Sequence, residues 1–211
     1  MIHRPSVLSL LFAAACSAPL RPVLHDDDYP GELLPPAAFG ADLLLQQHVT
    51  AIWGEGEQRG FDAAVQKQGD TLTIVGLSPV SGPGFVLVLH AGIVTLTNHA
   101  GMEVPFPPRF VVLDVQRVFF PWLGGGARDG ETTGEAHGER IVELRAGGRL
   151  VERRFARLDG QPAGEITVRY EWGDAGPERR TPQQATLHNP WFGYRLVIDT
   201  HAETALPAKD G

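Results

Sequence analysis

The sequence predicts a mainly β (α+β) fold: a strongly curved antiparallel sheet, or half-barrel, of about ten strands with one covering helix. Apolar and polar residues alternate in segment after segment, with the period of two that is typical of half-buried strands, and glycine-rich turns separate these segments. One central segment changes to helical spacing. Because so many strands do not stay flat and open, we expect the sheet to curve around that helix.

The first fifteen residues have the form of a bacterial secretion signal. Arg4 precedes an apolar run, residues 7–15, which is interrupted only by Ser9 and ends in small residues. The run is too short to span the core of a bilayer. We therefore expect residues 1–15 to be a signal peptide that is removed before Cys16.

Cys16 is the only cysteine of the chain and directly follows three alanines. This arrangement resembles the lipobox of bacterial lipoproteins, which implies a thioether to diacylglycerol at the cysteine and acylation of the new amino group. The alternative is an ordinary A-x-A secretion site that leaves a free thiol, which is an unfavourable group to export. We expect Cys16 to be the lipid attachment residue and the membrane to be a partner through this anchor. In the enterobacterial lipoproteins that the lipobox resembles, an aspartate after the cysteine often signals retention at the inner membrane. The resemblance therefore implies, with Ser17 at that position, the periplasmic face of the outer membrane.

Length and charge exclude several classes of protein. The 196 residues that remain after removal of the signal suit one domain. The whole chain has a formal net charge of −7, spread without long acidic blocks. This charge argues against nucleic acid as a partner, because phosphate binding needs a clustered basic face. With Cys16 acylated, disulfides and cysteine-based zinc sites are excluded. We expect no cofactor and no metal.

The mature chain is predicted to have three parts. Residues 16–39 form a proline-rich tether, in which the acidic run of residues 26–28 is more simply read as solvated charge than as a metal site. Residues 40–200 form a single half-barrel domain. Residues 201–211 form a flexible tail.

The first part of the domain is predicted to contain five strands and the helix. Residues 43–53, 61–68 and 71–77 alternate and form an antiparallel meander. Residues 85–89 are apolar on both faces, and residues 93–98 complete this set. Residues 107–120 have apolar positions at helical spacing, prolines at the start and Pro121 as the stop signal, which predicts a helix across the sheet.

The second part contains only predicted strands after a glycine-rich loop at residues 124–138. The strands are predicted at residues 139–145, 150–157, 165–172, 185–188 and 192–199. Residues 165–172 show the cleanest alternation, with a charged outer face that discourages edge pairing.

No catalytic constellation is recognisable, and the chain is predicted not to be an enzyme. There is no G-x-S-x-G motif, and Ser78 and Ser81 lie in a loop rich in proline and glycine. The histidines show no H-x-H or H-x-x-x-H spacing, and although His90 and His99 could meet across a hairpin, no third ligand is visible. Apolar surface is the more informative feature.

A curved sheet with surplus apolar residues suits an acyl chain or another apolar lipid, because apolar burial provides affinity without precise polar geometry. The alternative is that the same side chains fill an ordinary core. The residues predicted to line an apolar cavity are Trp53, Leu72, Ile74, Phe85, Leu87, Leu89, Val111, Val115, Val118, Phe119 and Trp122.

Three stretches resemble a small lipoprotein family, domain of unknown function 3261: residues 72–79, residues 110–121 with Leu113-Asp114-Val115-Gln116, and residues 189–198 with Gly193-Tyr194. The whole pattern is similar to the lipoprotein-localisation proteins LolA and LolB. That resemblance implies an incomplete antiparallel barrel with an apolar cavity for acyl chains, although the loop at residues 78–84 offers only Val80 where the LolB membrane-facing loop has a leucine.

These observations predict a non-enzymatic, lipid-anchored periplasmic protein that binds an acyl chain or other apolar lipid. The resemblance implies handling of lipoproteins or aryl-polyene lipids at the outer membrane. The alternative is a structural or assembly lipoprotein that binds a periplasmic protein partner through its sheet edge or loops.

Overall fold

The structure is a computed structural model that describes residues 24–78, 82–99, 107–124, 128–174 and 179–207. Within these residues there are eleven strands, one α-helix and two short 3₁₀ helices. The strands are β1 (Leu43–Trp53), β2 (Glu57–Gln68), β3 (Thr71–Leu77), β4 (Pro83–His90), β5 (Ile93–Asn98), β6 (Gly130–Ala136), β7 (Glu139–Ala146), β8 (Arg149–Arg157), β9 (Glu165–Glu171), β10 (Gln184–Asn189) and β11 (Tyr194–Ala205), the helix is α1 (Pro108–Phe119), and the 3₁₀ helices are Asp26–Asp28 and Pro36–Phe39. The predicted signal peptide and Cys16 lie outside the described residues.

All eleven strands form one antiparallel sheet in the order β5-β4-β3-β2-β1-β11-β10-β9-β8-β7-β6. Each half is a meander, and the first and last strands join the halves along β1, where Val49 is opposite Ile198. The predicted meander of the first three strands is confirmed. β5 and β6 are the two edges, and α1 follows β5 in the chain and precedes β6.

The sheet must curve, because the same helix contacts strands near both edges of the sheet. α1 packs against β4 and β5, and Arg117 of α1 is bonded to Glu139 of β7. In a flat sheet β5 and β7 would be about 43 Å apart, whereas an α-helix is only about 10 to 12 Å across. The predicted class, a curved antiparallel sheet with a covering helix, is therefore confirmed.

The core lies between the helix and the inner face of the sheet. Alternate residues of the strands point into it, as Leu43, Leu45 and Val49 do in β1, while the residues between them face outward. Phe155 of β8 and Ile166 of β9 are fully buried. Burial of side chains of this kind contributes about 1.5 to 3 kcal/mol each, so the regular alternation selects one register for every strand.

The predicted helix is confirmed at nearly the expected residues. It begins at Pro108, after Pro107 with a non-helical backbone, and ends at Phe119 before Pro121. Proline is tolerated in the first helical turn because its missing amide hydrogen has no partner there. Three aliphatic or aromatic residues of α1, Phe110, Val112 and Leu113, are at most 1% exposed.

One strand falls within residues 124–138, where the sequence predicts only a loop. β6 carries Glu131 and Glu135 between glycines, and most of its residues are exposed, so it lacks the apolar alternation that identifies a strand. It forms because β7 supplies hydrogen-bond partners along its whole length. Similarly, β2 begins at Glu57 rather than Phe61, since residues 57–60 pair with the end of β1.

The tether that is predicted to reach residue 39 is wrong for its second half. Tyr29 is fully buried, Leu34 is 9% exposed and Pro36 is also buried. Arg109 at the start of α1 donates hydrogen bonds to the carbonyl oxygens of Tyr29 and Gly31. Prolines prevent regular hydrogen bonding but not burial, so residues 24–40 pack as an irregular segment on the helix. We call them the N-terminal strap.

The predicted flexible tail is wrong at its beginning. β11 continues to Ala205, and residues 202–205 pair with residues 43–46 of β1. Leu206 then donates its backbone N–H to the carbonyl of Asp42. Polar residues dominate this segment, which hides its strand character in the sequence, but the neighbouring strand still satisfies its backbone groups.

Candidate functional site

Three buried polar side chains within about one turn of α1 connect the helix to its surroundings. Asp114, Gln116 and Arg117 are 5%, 0% and 0% exposed. Buried polar groups are tolerated only when they are hydrogen-bonded. Gln116 meets this requirement on the N-terminal strap, where its amide accepts from the N–H of Leu34 at 2.9 Å and donates to the Leu34 carbonyl at 2.7 Å.

Asp114 joins the strap to the last strands. Its two carboxylate oxygens accept hydrogen bonds from the hydroxyls of Tyr29 at 2.7 Å and Tyr194 at 2.5 Å. Asn189 in turn donates to both hydroxyls. Burial raises the pKa of Asp114 to about 6, an effect that the hydrogen bonds from Tyr194 and Tyr29 and the nearby positive charge of Arg117 oppose. Burial and the neighbouring carboxylate raise the pKa of both tyrosines well above its usual value.

Arg117 joins the helix to β7. It donates to both oxygens of Glu139, at 2.8 and 2.9 Å, and to the carbonyl of Pro30 at 3.2 Å. Its guanidinium carbon lies 4.6 Å from the ring centre of Phe155 and 5.1 Å from that of Tyr29. Both ionised side chains are fully buried, so they have no access to a substrate and hold the helix in place.

The last turn of the helix is bonded to β8 and β9. Arg153 donates to the carbonyl of Arg117 at 2.7 Å, and the Tyr170 hydroxyl donates to the carbonyl of Val118 at 2.9 Å. Trp122 donates its indole N–H to the carbonyl of Gln116. Arg153 and Tyr170 thus satisfy carbonyls that a helix leaves unpaired at its end, whereas the Gln116 carbonyl also accepts from the backbone N–H of Phe120. They also fix the position of the residues that follow.

An open groove of about 400 Å³ lies beside this end of α1. It is bounded by the helix end, the turn between β7 and β8, the end of β9, and the segment that leads into β10. The groove is lined by Phe39, Ala41, Val118, Phe119, Phe120, Pro121, Arg145, Gly148, Arg149, Leu150, Arg153, Tyr170, Trp172, Arg179, Arg180, Thr181 and Pro182. Its volume falls within the usual range for small-molecule sites, about 300 to 1,000 Å³.

Aromatic side chains form much of the groove wall. Phe39 of the strap packs on Phe120, with ring centres 5.2 Å apart. Trp172 is held by a hydrogen bond from its indole N–H to the carbonyl of Leu150 at 2.7 Å. Arg149 lies over the Trp172 ring, 5.1 Å from its centre. The groove can accept an apolar or aromatic group. Its lining residues include no pair of a nucleophile and a base, so they offer no catalytic arrangement.

A family model described as "Protein of unknown function (DUF3261)" matches residues 44–202. The match includes the helix and all or most of every strand of the described sheet. The chain belongs to this family. No curated protein matches it.

Solved structures similar to this DUF3261 protein include a LolA superfamily protein from Nitrosomonas europaea, with a TM-score of 0.45, 10% identity and coverage of 87% of this chain and 92% of that one. A putative outer membrane lipoprotein-sorting protein domain from Vibrio parahaemolyticus gives 0.48, 12%, 81% and 87%. A DUF1329 family protein from Desulfovibrio piger gives 0.48, 14%, 78% and 85%. Scores below 0.5 at such identity carry no argument about the function of this chain.

In this DUF3261 protein, the residues predicted to line a cavity separate into three sets. Val118 and Phe119 line the groove, and Val118 also belongs to the core. Six belong to the core between helix and sheet: Leu72, Ile74, Phe85, Leu87, Leu89 and Trp122. Trp53, Val111 and Val115 are partly buried and pack against that core. The role of all eleven in ligand binding stays a prediction.

The groove arginines and Tyr29 were missed by sequence reasoning. Five arginines line the groove, yet they come from residues 145–153 and 179–180, and only the fold brings these two segments together. The first segment did carry a pattern that could have indicated these arginines: Arg145, Arg149 and Arg153 recur every four residues in strands whose other residues alternate between polar and apolar. Tyr29 was hidden among the prolines of the strap.

Two further observations concern the described part of the chain. It contains no group of three or more His, Asp or Glu side chains placed to hold a metal ion. Neither does it include a helix of the length and apolar character needed to cross a membrane. His90, one of the two histidines considered as a pair, lies 3.3 Å from the Thr71 hydroxyl through its Nδ1.

Proposed function

We propose that this DUF3261 protein is a non-enzymatic, lipid-anchored periplasmic protein that binds an acyl chain or other apolar lipid. The observation that carries the proposal is the groove at the end of α1, an open space of about 400 Å³ whose wall includes Phe119, Phe120, Leu150 and Trp172. Apolar surface of this kind binds a hydrocarbon chain by removing it from water, with a contribution of about 0.8 kcal/mol for each buried methylene.

A lipid anchor at Cys16 would keep such a groove close to the membrane that holds its ligand. Acylation at Cys16 would hold the domain at the outer membrane, on its periplasmic side, so that a lipid taken from or delivered to the bilayer needs to travel only a short distance. Two or three acyl chains give stable anchoring where one gives only marginal binding. The residues between Cys16 and the strap supply the connection between membrane and domain.

Binding of a fluorescent acyl probe tests the proposal. The full chain is titrated with 11-dansylaminoundecanoic acid, and the blue shift and enhancement of dansyl emission report transfer into an apolar site. The variant Ala41→Trp fills the groove with an indole ring, and we expect it to weaken binding by about tenfold or more. Ala146→Trp is the matched control, because Ala146 is exposed and is not among the lining residues.

Equal binding by the wild type and the Ala41→Trp variant would place any lipid site elsewhere and remove the support of the groove. Absence of saturable binding to the wild type, together with purification of one stoichiometric periplasmic protein bound to the chain, would favour the alternative function as an assembly lipoprotein.

A further inference from the structure

The phenol ring of Tyr29 fills a closed pocket of the domain, although Tyr29 belongs to the N-terminal strap. Tyr29 is 0% exposed. Its ring meets those of Phe110, Phe192 and Trp191 edge to face, with centres 4.9, 5.1 and 6.2 Å away. The guanidinium carbon of Arg117 lies 5.1 Å from the centre of the same ring. Aromatic and cationic neighbours of this kind favour an aromatic ring over an aliphatic group of similar size.

The polar end of this pocket is built for a hydroxyl group. The Tyr29 hydroxyl donates to Asp114 at 2.7 Å and accepts from the side-chain amide of Asn189 at 3.0 Å. Within the residues that the structure describes, the carbonyl oxygen of the same amide is buried and has no hydrogen-bond donor. A buried acceptor without a donor is unfavourable, so Tyr29 does not use every hydrogen bond that the pocket offers.

The strap is attached to the domain through side chains rather than through main-chain pairing. In the part of the chain that the structure describes, the backbone-to-backbone hydrogen bonds of the strap all join two strap residues. Its other backbone groups bond to the side chains of Arg109, Gln116 and Arg117 of α1. Displacement of the strap therefore breaks no strand ladder and no turn of the helix.

The apolar side chains of the strap continue from the pocket of Tyr29 to the open groove. Leu34 is 9% exposed and belongs to the core, and Phe39 packs on Phe120 at the wall of the groove. Between Phe110 and Phe120 the axis of the helix advances by about 15 Å. The strap thus places a phenol at one end of α1 and apolar side chains along the way to the other end.

We propose that the strap occupies the binding site of a lipid with a phenol head, and that this lipid displaces it. The phenol of the lipid replaces the Tyr29 ring against Asp114 and Asn189, while its hydrocarbon chain follows α1 into the groove. The inference rests on the proposed lipid-binding function and adds the chemistry of the head and a segment that competes with the ligand. Competition lowers the apparent affinity, because only molecules with a displaced strap bind the lipid.

Gly31 allows the strap to be displaced without a change in any residue of the pocket. Its φ is +114°, and a Cβ at this position would lie 3.1 Å from Nη2 of Arg117 and 3.5 Å from Oε1 of Glu139. Arg117 and Glu139 are a fully buried ion pair, so Gly31→Val should force the strap away from the helix. Gly40→Val is the matched control, because Gly40 also has a positive φ, +74°, but a Cβ there meets no described atom within 4 Å.

A phenol and its analogue without the hydroxyl test the head of the ligand. The full chain and both variants are titrated with 4-octylphenol and with 1-phenyloctane by isothermal titration calorimetry. We expect Gly31→Val to bind 4-octylphenol about tenfold more tightly than the wild type does, and Gly40→Val to bind it as the wild type does. Gly31→Val should prefer the phenol to 1-phenyloctane by about tenfold, the effect of one hydrogen bond to a carboxylate.

Hydrogen exchange of the wild type tests displacement without any substitution, so the proposal does not depend on the folding of a variant. The Leu34 N–H, bonded to the Gln116 side chain at 2.9 Å, reports whether the strap is docked. Saturating 4-octylphenol should make this N–H exchange about tenfold faster, as measured by NMR. The same concentration of 1-phenyloctane should leave its exchange unchanged. A merely structural strap would exchange no faster with either compound.

The possible failures separate this inference from the proposed function. Unchanged or slower exchange of the Leu34 N–H with 4-octylphenol, or equal affinities of Gly31→Val and the wild type for it, would overturn displacement of the strap. Equal affinities of Gly31→Val for the two compounds would overturn the phenol head. In each case the proposed function stands if 11-dansylaminoundecanoic acid binds and Ala41→Trp weakens its binding. Failure of every probe to bind would overturn both.

Discussion

Arg117 of the helix and Glu139 of β7 form a two-point ion pair with no exposure of either side chain. The donor and acceptor atoms are 2.8 and 2.9 Å apart, and the side chains are 0% exposed. This pair connects α1 to the half of the sheet that follows it in the chain. The pair stabilises the packing of α1 on the sheet only while both partners are present. If one partner is removed, the other is a buried charge that has lost its hydration and has no opposite charge to compensate for it.

Arg117→Met should therefore lower the free energy of unfolding by about 3 to 5 kcal/mol, and Glu139→Leu by a similar amount. The double variant should recover much of the loss, because it leaves no buried charge. Urea denaturation followed by tryptophan fluorescence measures both effects. A loss below about 1 kcal/mol in the single variants would contradict the interpretation.

The pair formed by Arg140 and Glu165 provides the control. Its atoms are 3.6 Å apart, and the side chains are 55% and 38% exposed. Arg140→Gln should change stability by less than about 1 kcal/mol, because water solvates and screens exposed charges.

Asp114 predicts an unusual dependence of stability on pH. Its pKa is raised from 3.8 to about 6 in the folded state, so the folded protein binds a proton that the unfolded chain releases at a lower pH. Stability from this group is complete below pH 4 and is lost as pH rises toward 6, by about 3 kcal/mol in all.

Asp114→Asn should remove this slope, whatever its effect on stability at a single pH. The measurement is the free energy of unfolding of both proteins from pH 4 to pH 7, with the difference between them plotted against pH. Asp129 and Asp159, whose pKa values are lowered by hydrogen bonds, act below this range and cancel in the difference. A flat difference would contradict the raised pKa.

The N-terminal strap should contribute to stability as part of the domain. A chain that begins at residue 24 should be more stable than one that begins at residue 41, because the longer chain keeps the ring of Tyr29, its hydrogen bond to Asp114 and the side chain of Leu34. Loss of a buried aromatic side chain alone costs about 3 to 5 kcal/mol. Thermal unfolding of the two chains measures the difference. Equal melting temperatures would show that the strap is only a tether and does not stabilise the domain.

Lipid attachment predicts a clear phenotype for Cys16→Ser. The wild-type protein should incorporate labelled palmitate and sediment with outer membranes, whereas the variant should do neither and should appear in the periplasmic extract. Ser17→Ala is a neighbouring control that keeps the thiol. Sedimentation of the Cys16→Ser variant with membranes would show that another feature holds the protein there.

Local patterns were sufficient for most of the secondary structure. Alternation along β1, β3 and β9 predicted their positions, because a strand with one buried face has a period of two. β4 was predicted from a short run that is apolar on both faces. Proline at both ends of α1 predicted its limits. β6 could not be found in this way, since an edge strand with two exposed faces carries no apolar signal.

The sequence by itself determined the class of the fold: an antiparallel sheet too long to stay flat and one helix to fill its inner face. It also marked Cys16 as the residue to test for attachment. Only the tertiary structure decided which side chains are core and which border an open groove. Arg149 and Arg180 are far apart in the chain and line the same groove only because β8, β9 and β10 are neighbours. Tyr29 is buried with its hydroxyl bonded to Asp114 and Asn189, which belong to distant elements. Contacts between distant residues have no local period, so no pattern along the chain can predict them.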